Sequence, residues 1–471
     1  MKKLFLFALV IGACRADAQT VDQYLQKIRG NTAELTAFFQ QMPKGGDLHN
    51  HYTGSVYAET YIDCIVDSNW YVNTNTLKVT KTPADGAIRI SDLKASGDWP
   101  SFQEKLLQKW SVKDYNGVSY PCDKQFFETF GNFGIASGVR YDVGLLELKN
   151  RAKSENVSYI ETMFTGIPNH ITGLDTSYNT KLEQGLADKD EVAIKKILDR
   201  EYQAVLKKGA SAAAEDFNAN VAALHKNLHI DDGDFTMRYQ SYVARTQQPA
   251  DVFKNLILCF ISADKSPLIV GVNIVAPEND DVSMRDYWLH MQMFKYMHSK
   301  YPNVKYAMHA GELALGMVKP EEMTWHINAA VHTAGANRIG HGVDLPYEHN
   351  SYDLLEYMAK NKIAIEINLY SNEFILKVKN DAHPFTLYNE FNVPIVICTD
   401  DAGVLRSDLT RQYVLLAKRY KDVKYADIKR FVYNSIDYSF IEEDSIKDKI
   451  KKQLDEKFAT FEREVLATHG K

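Results

Sequence analysis

The sequence predicts a (β/α)8 barrel of the TIM type, and three observations lead to this prediction. Eight short runs rich in apolar and β-branched residues follow one another along the 471-residue chain. From the third run onward they start roughly every 25 to 35 residues, with helical patterns between them, which is the rhythm of repeated βα units. The runs are apolar on both faces, as are strands of a parallel sheet covered by helices. Two or three ordinary domains would also fit this length, but the regular alternation favours one barrel.

The predicted strands share a high content of β-branched and apolar residues. They are Gly46 to His51, Val157 to Phe164, Phe235 to Ala244, Ile269 to Ala276, Val304 to His309, Arg338 to Val343, Ile363 to Leu369 and Pro394 to Thr399. Helical spacing of apolar residues predicts helices between them, as in Met284 to Ser299 and Ser351 to Lys360. Within residues 19–43, a further helix is predicted from about Val21 to Gln41, and Pro43 ends it.

The barrel is predicted over residues 44–471, and this excess over a compact barrel requires insertions after strands 1 and 2. The first insertion, at about 55–125, contains Trp99 and Trp110. The second contains a long polar helical pattern from about Leu186 to Leu228. The C-terminal tail alternates charged and apolar residues at helical spacing, so we expect it to pack on the outside of the barrel.

The first 18 residues have the layout of a secretory signal peptide. Lys2 and Lys3 precede an apolar run from Leu4 to Ile11, and small residues follow. Cleavage is expected either after Ala18 or before Cys14, and the second site would leave a lipid anchor on that cysteine. We therefore predict export to the bacterial periplasm, the cell envelope or the medium; a buried apolar N-terminal segment is the alternative. No later stretch reaches about 18 unbroken apolar residues, so no membrane span is predicted.

Charge and cysteine usage exclude several classes of protein. The 55 basic and 61 acidic side chains give a net charge of −6, so no basic field exists to bind duplex nucleic acid. The four cysteines after residue 14 include no C-x-x-C pair, which argues against a zinc ribbon, a thioredoxin-like site or a cysteine-liganded deaminase. In an oxidising compartment Cys64 and Cys122 are expected to form a disulfide. Cys259 and Cys398 lie in apolar runs and are expected to be buried thiols.

Polar motifs follow four of the predicted strands directly. His49 and His51 end the first strand and, at positions i and i+2, point to the same face. The other motifs are His309-Ala310-Gly311-Glu312 after the fifth strand, His341-Gly342 after the sixth and Asp400-Asp401 after the eighth. In barrel enzymes the face where the strands end holds the active site, so we expect these side chains to converge there.

Several neutral imidazoles that converge with a carboxylate form a site for a first-row metal, and nitrogen and oxygen ligands suit Zn²⁺. We assign one zinc ion per chain to four ligands, which are His49, His51, His309 and Asp400. Zinc lowers the pKa of a bound water towards 7. Glu312 and His341 then remain as acid–base groups, with Asp401 as a further hydrogen-bonding carboxylate.

Each motif alone also has a structural interpretation. An H-x-H pair is often a surface feature, the HAGE motif fits a strand end with a glutamate at a helix start, and two aspartates often begin a helix. Their joint occurrence, in this order and on one predicted barrel face, favours a functional site.

The motifs together resemble the adenosine deaminase family over roughly Lys44 to Tyr420. The matching residues are Lys44, Asp47 to His51, Gly54, Tyr159 to Glu161, His309 to Glu312, Arg338 to Gly342, Ser371, Asn372, His383, Pro384 and Thr399 to Asp401. The long first insertion, followed by the motif from Phe126 to Phe130, looks more like the secreted adenosine deaminase growth factor subgroup than the compact cytosolic enzymes.

The resemblance implies zinc-dependent conversion of adenosine and 2′-deoxyadenosine to inosine and 2′-deoxyinosine plus ammonia. In the family mechanism the activated water attacks C6 while Glu312 protonates ring N1. His341 would orient or deprotonate the water, and Asp401 would bond to N7 or to the water. The backbone N–H near Ala276 would meet N3 of the purine.

Three positions depart from the family pattern without touching the metal or acid–base groups. Thr53 stands where many members have an aspartate that contacts the ribose, Ala276 stands where a glycine is usual, and Asn273 replaces an acidic residue. The ribose end would then be held either by the first insertion, with Trp99 and Trp110 at the pocket mouth, or only loosely.

Other functions stay open at this point. One is another deaminase with a single metal, acting on 5′-modified adenosine or adenine. A second is a hydrolase of the wider amidohydrolase barrels, although two-metal members need a lysine after the fourth strand and Leu268 to Pro277 contains none. A third is an extracellular binding or signalling protein with incidental catalysis. The expected partner is a small nucleoside, and both monomer and homodimer fit.

Overall fold

The computed structural model describes residues 21–118 and 120–469. The predicted signal peptide and Cys14 lie outside these residues. The strands of the described chain are β1 (Gly46–His51), β2 (Tyr71–Asn73), β3 (Val79–Thr80), β4 (Ala87–Arg89), β5 (Tyr159–Thr165), β6 (Thr236–Ala244), β7 (Ile269–Val275), β8 (Ala307–Ala310), β9 (Arg338–His341), β10 (Ala364–Ile367) and β11 (Ile395–Ile397).

Eight of these strands close a parallel barrel. Strands β1, β5, β6 and β7 form one four-stranded sheet, and β8 to β11 form another in chain order. Two parallel bridges join the sheets, one between Asn50 and Asp400 and one between Val272 and Tyr306. Each of the eight predicted strands corresponds to one barrel strand, so the predicted (β/α)8 fold is confirmed.

Helices cover the barrel and fill the longer connections. They are α1 (21–28), α2 (Thr32–Gln41), α3 (Tyr52–Ser55), α4 (Ala58–Asp67), α5 (Ile90–Ala95), α6 (Trp99–Trp110), α7 (Cys122–Ser137), α8 (Tyr141–Ser154), α9 (Ser177–Ala187), α10 (Glu191–Lys207), α11 (Ala210–Asn227), α12 (Pro249–Lys265), α13 (Asp281–Lys300), α14 (His326–Asn328), α15 (Ser351–Asn361), α16 (Leu369–Leu376), α17 (Phe385–Glu390), α18 (Leu409–Arg419), α19 (Tyr425–Asp437) and α20 (Asp444–His469). Short 3₁₀ or π turns occur at Pro320–Thr324, Ala329–Ala334, Leu345–Tyr347 and Asn380–Ala382. In the described chain no helix is both long enough and apolar enough to cross a membrane.

The segment between β1 and β5 has its own secondary structure. Helices α4 to α7 surround a small antiparallel sheet in the order β3-β2-β4, which the turn-rich sequence did not predict. The predicted disulfide in this segment is wrong, because Cys64 and Cys122 are both free and buried. The Cys122 Sγ atom donates a hydrogen bond to the carbonyl oxygen of Ile375, at 3.6 Å, so its thiol faces α16.

Two predicted helices are interrupted at identifiable caps. The N-terminal helix breaks before α2, where the Asn31 side chain accepts hydrogen bonds from the backbone N–H groups of Ala33 and Glu34. The long helical pattern predicted from about Leu186 to Leu228 is divided into α10 and α11, and α9 ends where it begins. Asp190 caps α10, and Gly209 precedes α11 with a positive φ of 95°.

The C-terminal helix α20 packs on the outside of the barrel, as the sequence predicted. The ring of its Phe461 lies 5.1 Å from that of Phe38 on α2. The Tyr425 hydroxyl of α19 donates a hydrogen bond to Glu462, at 3.0 Å. The tail therefore ties the N-terminal helix and α19 together and leaves the face where the strands end uncovered.

Candidate functional site

The four predicted metal ligands converge at the end of the barrel where the strands end. His49 and His51 belong to β1, His309 belongs to β8, and Asp400 follows β11. The Nε2 atoms of His51 and His309 are 3.0 Å apart. Asp400 Oδ1 lies 3.3 Å from His51 Nε2 and 3.5 Å from His49 Nε2. Chain closure thus brings together residues that are up to 351 positions apart in the sequence.

The chemistry of this cluster fits a metal cation. The Nε2 atoms of His49 and His341 are buried and have no hydrogen-bond partner among the described residues. Although burial opposes it, the carboxylates of Asp400 and Glu366 raise the pKa of His49 to about 10, so they favour a positive charge in the cluster, which either a proton or a metal cation can supply. Ligand atoms of His49, His309, His341 and Asp400 all lie within 4.8 Å of one another. His341 belongs to this group in place of the assigned ligand His51, which groups with Asp400 and Asp401 instead.

Each buried imidazole of the cluster has a hydrogen-bond acceptor at its outer nitrogen. His49 Nδ1 donates to Glu366 at 2.7 Å, because a carboxylate can only accept. His309 Nδ1 bonds to the Oδ1 atom of Asn273 at 3.0 Å. Such partners hold the proton on Nδ1 and leave the Nε2 lone pair free for a metal.

These acceptors belong to one continuous polar layer inside the barrel. Arg338 donates from Nε to Glu366 and from a terminal nitrogen to Glu161, each at 2.5 Å. Gln240 donates to Glu161 at 2.7 Å and accepts from the Asn273 amide at 2.9 Å. Every bond in this series has a matched donor and acceptor.

The three predicted catalytic residues surround the same cluster. Burial, reinforced by the charge of Asp400, raises the pKa of Glu312 well above its usual range and so favours the protonated carboxyl. Burial lowers the pKa of His341 to about 4, so its imidazole is neutral. Its Nε2 lies 3.7 Å from Glu312 Oε1, and its Nδ1 bonds to Asn372 at 2.8 Å.

Asp401 occupies a tight position beside the cluster. Burial and the neighbouring charge of Asp400 raise the pKa of its carboxyl well above the usual range. Its Oδ1 atom has no hydrogen-bond partner among the described residues. The carboxyl lies directly over Gly54, where a Cβ atom would overlap it.

Backbone strain marks the ends of three strands at this site. Ala276, His341 and Asp400 have positive φ values of 84°, 67° and 64°. Non-glycine residues adopt this region rarely, and such strain is typical of functional sites where the fold holds it in place. All three residues line the cavity above the cluster.

A cavity of about 280 Å³ opens above the cluster. Its lining comprises His51, Thr53, Phe126, Phe127, Phe130, Tyr242, Val275, Ala276, Pro277, His309, Glu312, His341, Asp400 and Asp401. All three predicted substrate-binding residues, Thr53, Ala276 and Asp401, are in this set. Among the described residues of the lining there is no lysine or arginine.

The apolar wall of the cavity corrects one prediction. Trp99 and Trp110 do not line the cavity but are buried within their own segment. Phe126, Phe127 and Phe130 of α7 line it instead. These phenylalanines belong to the Phe126 to Phe130 motif noted in the sequence for its family resemblance, but their spacing did not predict that they line the pocket.

The amino-acid sequence of this chain is similar to those of known proteins. A sequence model of the family, described as adenosine deaminase, matches residues 197–457. An adenosine deaminase of Clostridium acetobutylicum is 28% identical over 242 residues, which cover 49% of this chain and 68% of that protein.

Solved structures share the fold at low sequence identity. The N6-methyl-AMP deaminase of Arabidopsis thaliana has a TM-score of 0.56 at 16% identity, over 89% of this chain and 98% of that chain. An amidohydrolase of Burkholderia ambifaria with bound zinc has a TM-score of 0.55 at 16% identity, over 92% of this chain and 94% of that chain. The family match extends over more than half of the sequence, and the chain belongs to the adenosine deaminase family.

Proposed function

We propose that this protein is a zinc-dependent hydrolase that converts adenosine and 2′-deoxyadenosine to inosine and 2′-deoxyinosine with release of ammonia. The observation that carries this proposal is the position of Glu312. Its carboxyl is buried, which raises its pKa well above the usual range and favours the protonated form, and it is part of a cavity wall that also contains residues of the histidine and aspartate cluster. A proton donor beside a metal-binding cluster is what hydrolytic attack on a purine ring requires.

The metal would be held by His49, His51, His309 and Asp400, as the sequence predicted. When bound, zinc supplies Lewis acidity that lowers the pKa of water towards 7. The residues of the chain perform the proton transfers. Glu312 donates a proton to ring N1, which makes C6 more electrophilic as water adds there.

His341 and Asp401 complete the proposed mechanism. Because His341 is neutral, its Nε2 lone pair can orient the attacking water or accept its proton. The unpartnered Oδ1 of Asp401 is available to ring N7 or to the same water. The backbone N–H at the bend of Ala276 is proposed to meet N3.

The cavity supports a nucleoside rather than a nucleotide as substrate. A phosphate group needs cationic or backbone donors, and the described lining offers no lysine or arginine. We propose that the sugar lies against Thr53 and the phenylalanines of α7, which line the same cavity. The related Arabidopsis protein acts on N6-methyl-AMP, which makes that nucleotide the second candidate.

Export of the protein and membership of the growth factor subgroup are proposals based on the sequence alone. Export is proposed from the signal-peptide layout of residues 1–18, with a lipid anchor at Cys14 as the alternative. Membership of the subgroup is proposed from the long segment after β1. N-terminal mass analysis of the mature protein would distinguish cleavage after Ala18 from a lipidated Cys14. We also propose one zinc ion per chain, which metal analysis tests directly.

A substrate panel tests the proposed reaction. Purified protein is incubated with adenosine, 2′-deoxyadenosine, adenine, AMP, N6-methyl-AMP and 5′-deoxyadenosine, and the deaminated products are separated by chromatography. We expect the two nucleosides with a 5′-hydroxyl to be converted, AMP to be converted poorly and adenine hardly at all. Faster turnover of N6-methyl-AMP than of adenosine would replace the proposed substrate with the second candidate. If none of these compounds yields a deaminated product, the proposed deaminase function is rejected.

A further inference from the structure

The turn after β8 connects two groups with different chemical tasks. His309 at one end is an assigned metal ligand, and Glu312 at the other is the proposed proton donor. Gly311 between them has a φ of 72°, and a Cβ atom there would overlap Asp344 and Ile327. The four residues therefore form a tight bend, and its shape sets where the Glu312 carboxyl lies relative to His309.

The buried carboxylate of Glu278 holds the outer half of this turn. Its Oε1 accepts the backbone N–H of Gly311 at 3.1 Å, and its Oε2 accepts that of Glu312 at 2.8 Å. His326 contacts the same carboxylate through Nδ1, at 2.6 Å from Oε1. Only 1% of the Glu278 surface is exposed, so these bonds are made away from water.

The buried guanidinium of Arg245 holds the inner half. A terminal nitrogen donates to the carbonyl oxygen of His309 at 3.0 Å and to that of Ile274 at 3.3 Å. The other terminal nitrogen lies 3.8 Å from Glu278 Oε2. One ion pair therefore contacts the backbone at both ends of the turn, and it also ties the turn to the end of β7.

We propose that Arg245 and Glu278 are positioning residues that fix the Glu312 carboxyl relative to the metal ligand His309. This inference rests on the proposed function in one respect, since it takes Glu312 to be the proton donor. The ion pair belongs to neither the cavity lining nor the metal cluster, so it acts on the reaction from outside both, and it contacts the turn through hydrogen bonds to the turn's backbone.

A purely structural role would be an unusual use of these two residues. Burying a charged pair costs desolvation energy that its mutual attraction often fails to recover, so such a pair is weak evidence for stability. In this protein both charges are directed at backbone groups of a four-residue turn. We therefore infer that the ion pair fixes the position of that turn rather than adding to the overall stability of the barrel.

The decisive variant is Glu278→Gln, which preserves side-chain shape. Its amide can accept from one of the two N–H groups but presents a donor to the other, so the turn must shift. We expect kcat to fall about 10- to 100-fold, since a displacement of about 1 Å in an active site can cost that much. KM should change less than about threefold, because the cavity lining is untouched, and zinc content should equal that of the wild type.

Glu201→Gln is the matched control. Glu201 is also a fully buried glutamate, but it lies on α10 and belongs to neither the turn nor the cavity. Its substitution should leave kcat unchanged. Arg245→Lys is a second variant, which keeps the positive charge but cannot reach both carbonyl oxygens. It should lower kcat in the same way as Glu278→Gln.

Crystal structures of the variants supply a readout that needs no substrate. The Glu312 carboxyl should be displaced in Glu278→Gln and Arg245→Lys and should keep its wild-type position in Glu201→Gln. A Glu312 carboxyl that keeps its wild-type position in both Glu278→Gln and Arg245→Lys would overturn the inference, as would a loss of zinc equal to the loss of kcat. A wild type that deaminates no purine would instead reject the proposed function, and the displacement of Glu312 would still decide the inference.

Discussion

The Nδ1 atoms of His49 and His309 are joined by an unbroken series of hydrogen bonds through the interior of the barrel. The series runs through Glu366, Arg338, Glu161, Gln240 and Asn273. Carboxylates stand at one end and neutral amides at the other. The two imidazoles are therefore oriented by one shared network.

This network predicts that Asn273 controls metal affinity from outside the metal cluster. Asn273→Leu removes the acceptor for His309 Nδ1, so the ring can rotate or change its tautomer. Zinc affinity should fall about 10- to 100-fold, the usual effect of losing such a partner. Competition with a chromophoric chelator measures it. Asn273→Asp restores an acceptor and should bind zinc at least as tightly as the wild type, whereas a leucine variant with unchanged affinity would contradict the prediction.

The proposed role of Glu312 as proton donor can be tested without changing the proposed metal ligands. Glu312→Gln keeps the size of the side chain but removes its acidic proton. Turnover of adenosine should fall by about 10² to 10⁴, the range expected for general acid catalysis, with zinc content and fold retained. Steady-state kinetics and metal analysis on the same preparation check this. Retention of more than half of the wild-type turnover would remove Glu312 from the mechanism.

Gly54 is predicted to be required because Asp401 lies against it. In Gly54→Ala the new methyl group would overlap the Asp401 carboxyl and displace it. We expect kcat/KM to fall at least about tenfold with unchanged zinc content, since general acid–base groups typically contribute 10² or more. Gly134→Ala in α7 is the control, because nothing lies within 4 Å of the added atom. That variant should stay fully active and gain about 0.5–1 kcal/mol of helix stability.

The ribose end of the cavity predicts loose discrimination at the 5′ position. Thr53 offers a neutral hydroxyl where an aspartate would offer a stronger, charge-assisted acceptor, and α7 contributes only phenylalanines. Removing the substrate's 5′-hydroxyl should therefore lower kcat/KM only modestly, and Thr53→Asp should increase the penalty. Rates with adenosine and 5′-deoxyadenosine give the comparison. A loss of about 10⁴ or more in the wild type would show that another group binds the hydroxyl strongly.

Glu201 predicts a pH-dependent stability difference. Burial raises the pKa of its carboxyl from about 4.5 to about 8, and neither oxygen has a hydrogen-bond partner among the described residues. The folded chain thus binds a proton there more tightly than the unfolded chain, so its stability contribution is full below pH 4.5 and falls as pH rises towards 8. Glu201→Gln removes this loss. Its melting temperature should exceed that of the wild type at pH 8 and approach it at pH 4.5; an equal difference at both pH values would contradict the assignment.

The sequence predicted the barrel and the convergence of the histidines with Asp400 because both depend on local signals. Each barrel strand is a short apolar run, and each assigned ligand stands at or just beyond the end of such a run. Once the runs are arranged as parallel strands of a barrel, their polar ends must meet at one face. The positions of His49, His309 and Asp400 follow from that topology alone.

The supporting residues were less accessible to sequence analysis. Glu366 and Arg338 are charged residues inside apolar strands, which signals an interior polar pair but not its partners. Glu278 and Arg245 lie just beyond strand ends, and only the closed barrel shows that both act on the turn after β8. The phenylalanines of α7 reach the pocket because of the way in which the long connection between β1 and β5 folds, and the spacing of apolar residues does not predict that fold. Breaks at Asn31 and Gly209 required cap geometry that a helical pattern does not contain.

The seam between β1 and the residues after β11 runs through the metal cluster. His49 and His51 lie on one side of it and Asp400 on the other, while the backbone there is joined by bonds of 2.8 Å and 3.4 Å. A cation coordinated by residues on both sides of the seam can bind only while the two sides are paired. Because it binds the closed barrel and not the opened one, it stabilises the closed barrel by mass action. The amide protons of His51 and Asp400 should therefore exchange with solvent more slowly as free zinc rises. The proposed metal would thus add to the stability of the closed barrel as well as to its chemistry.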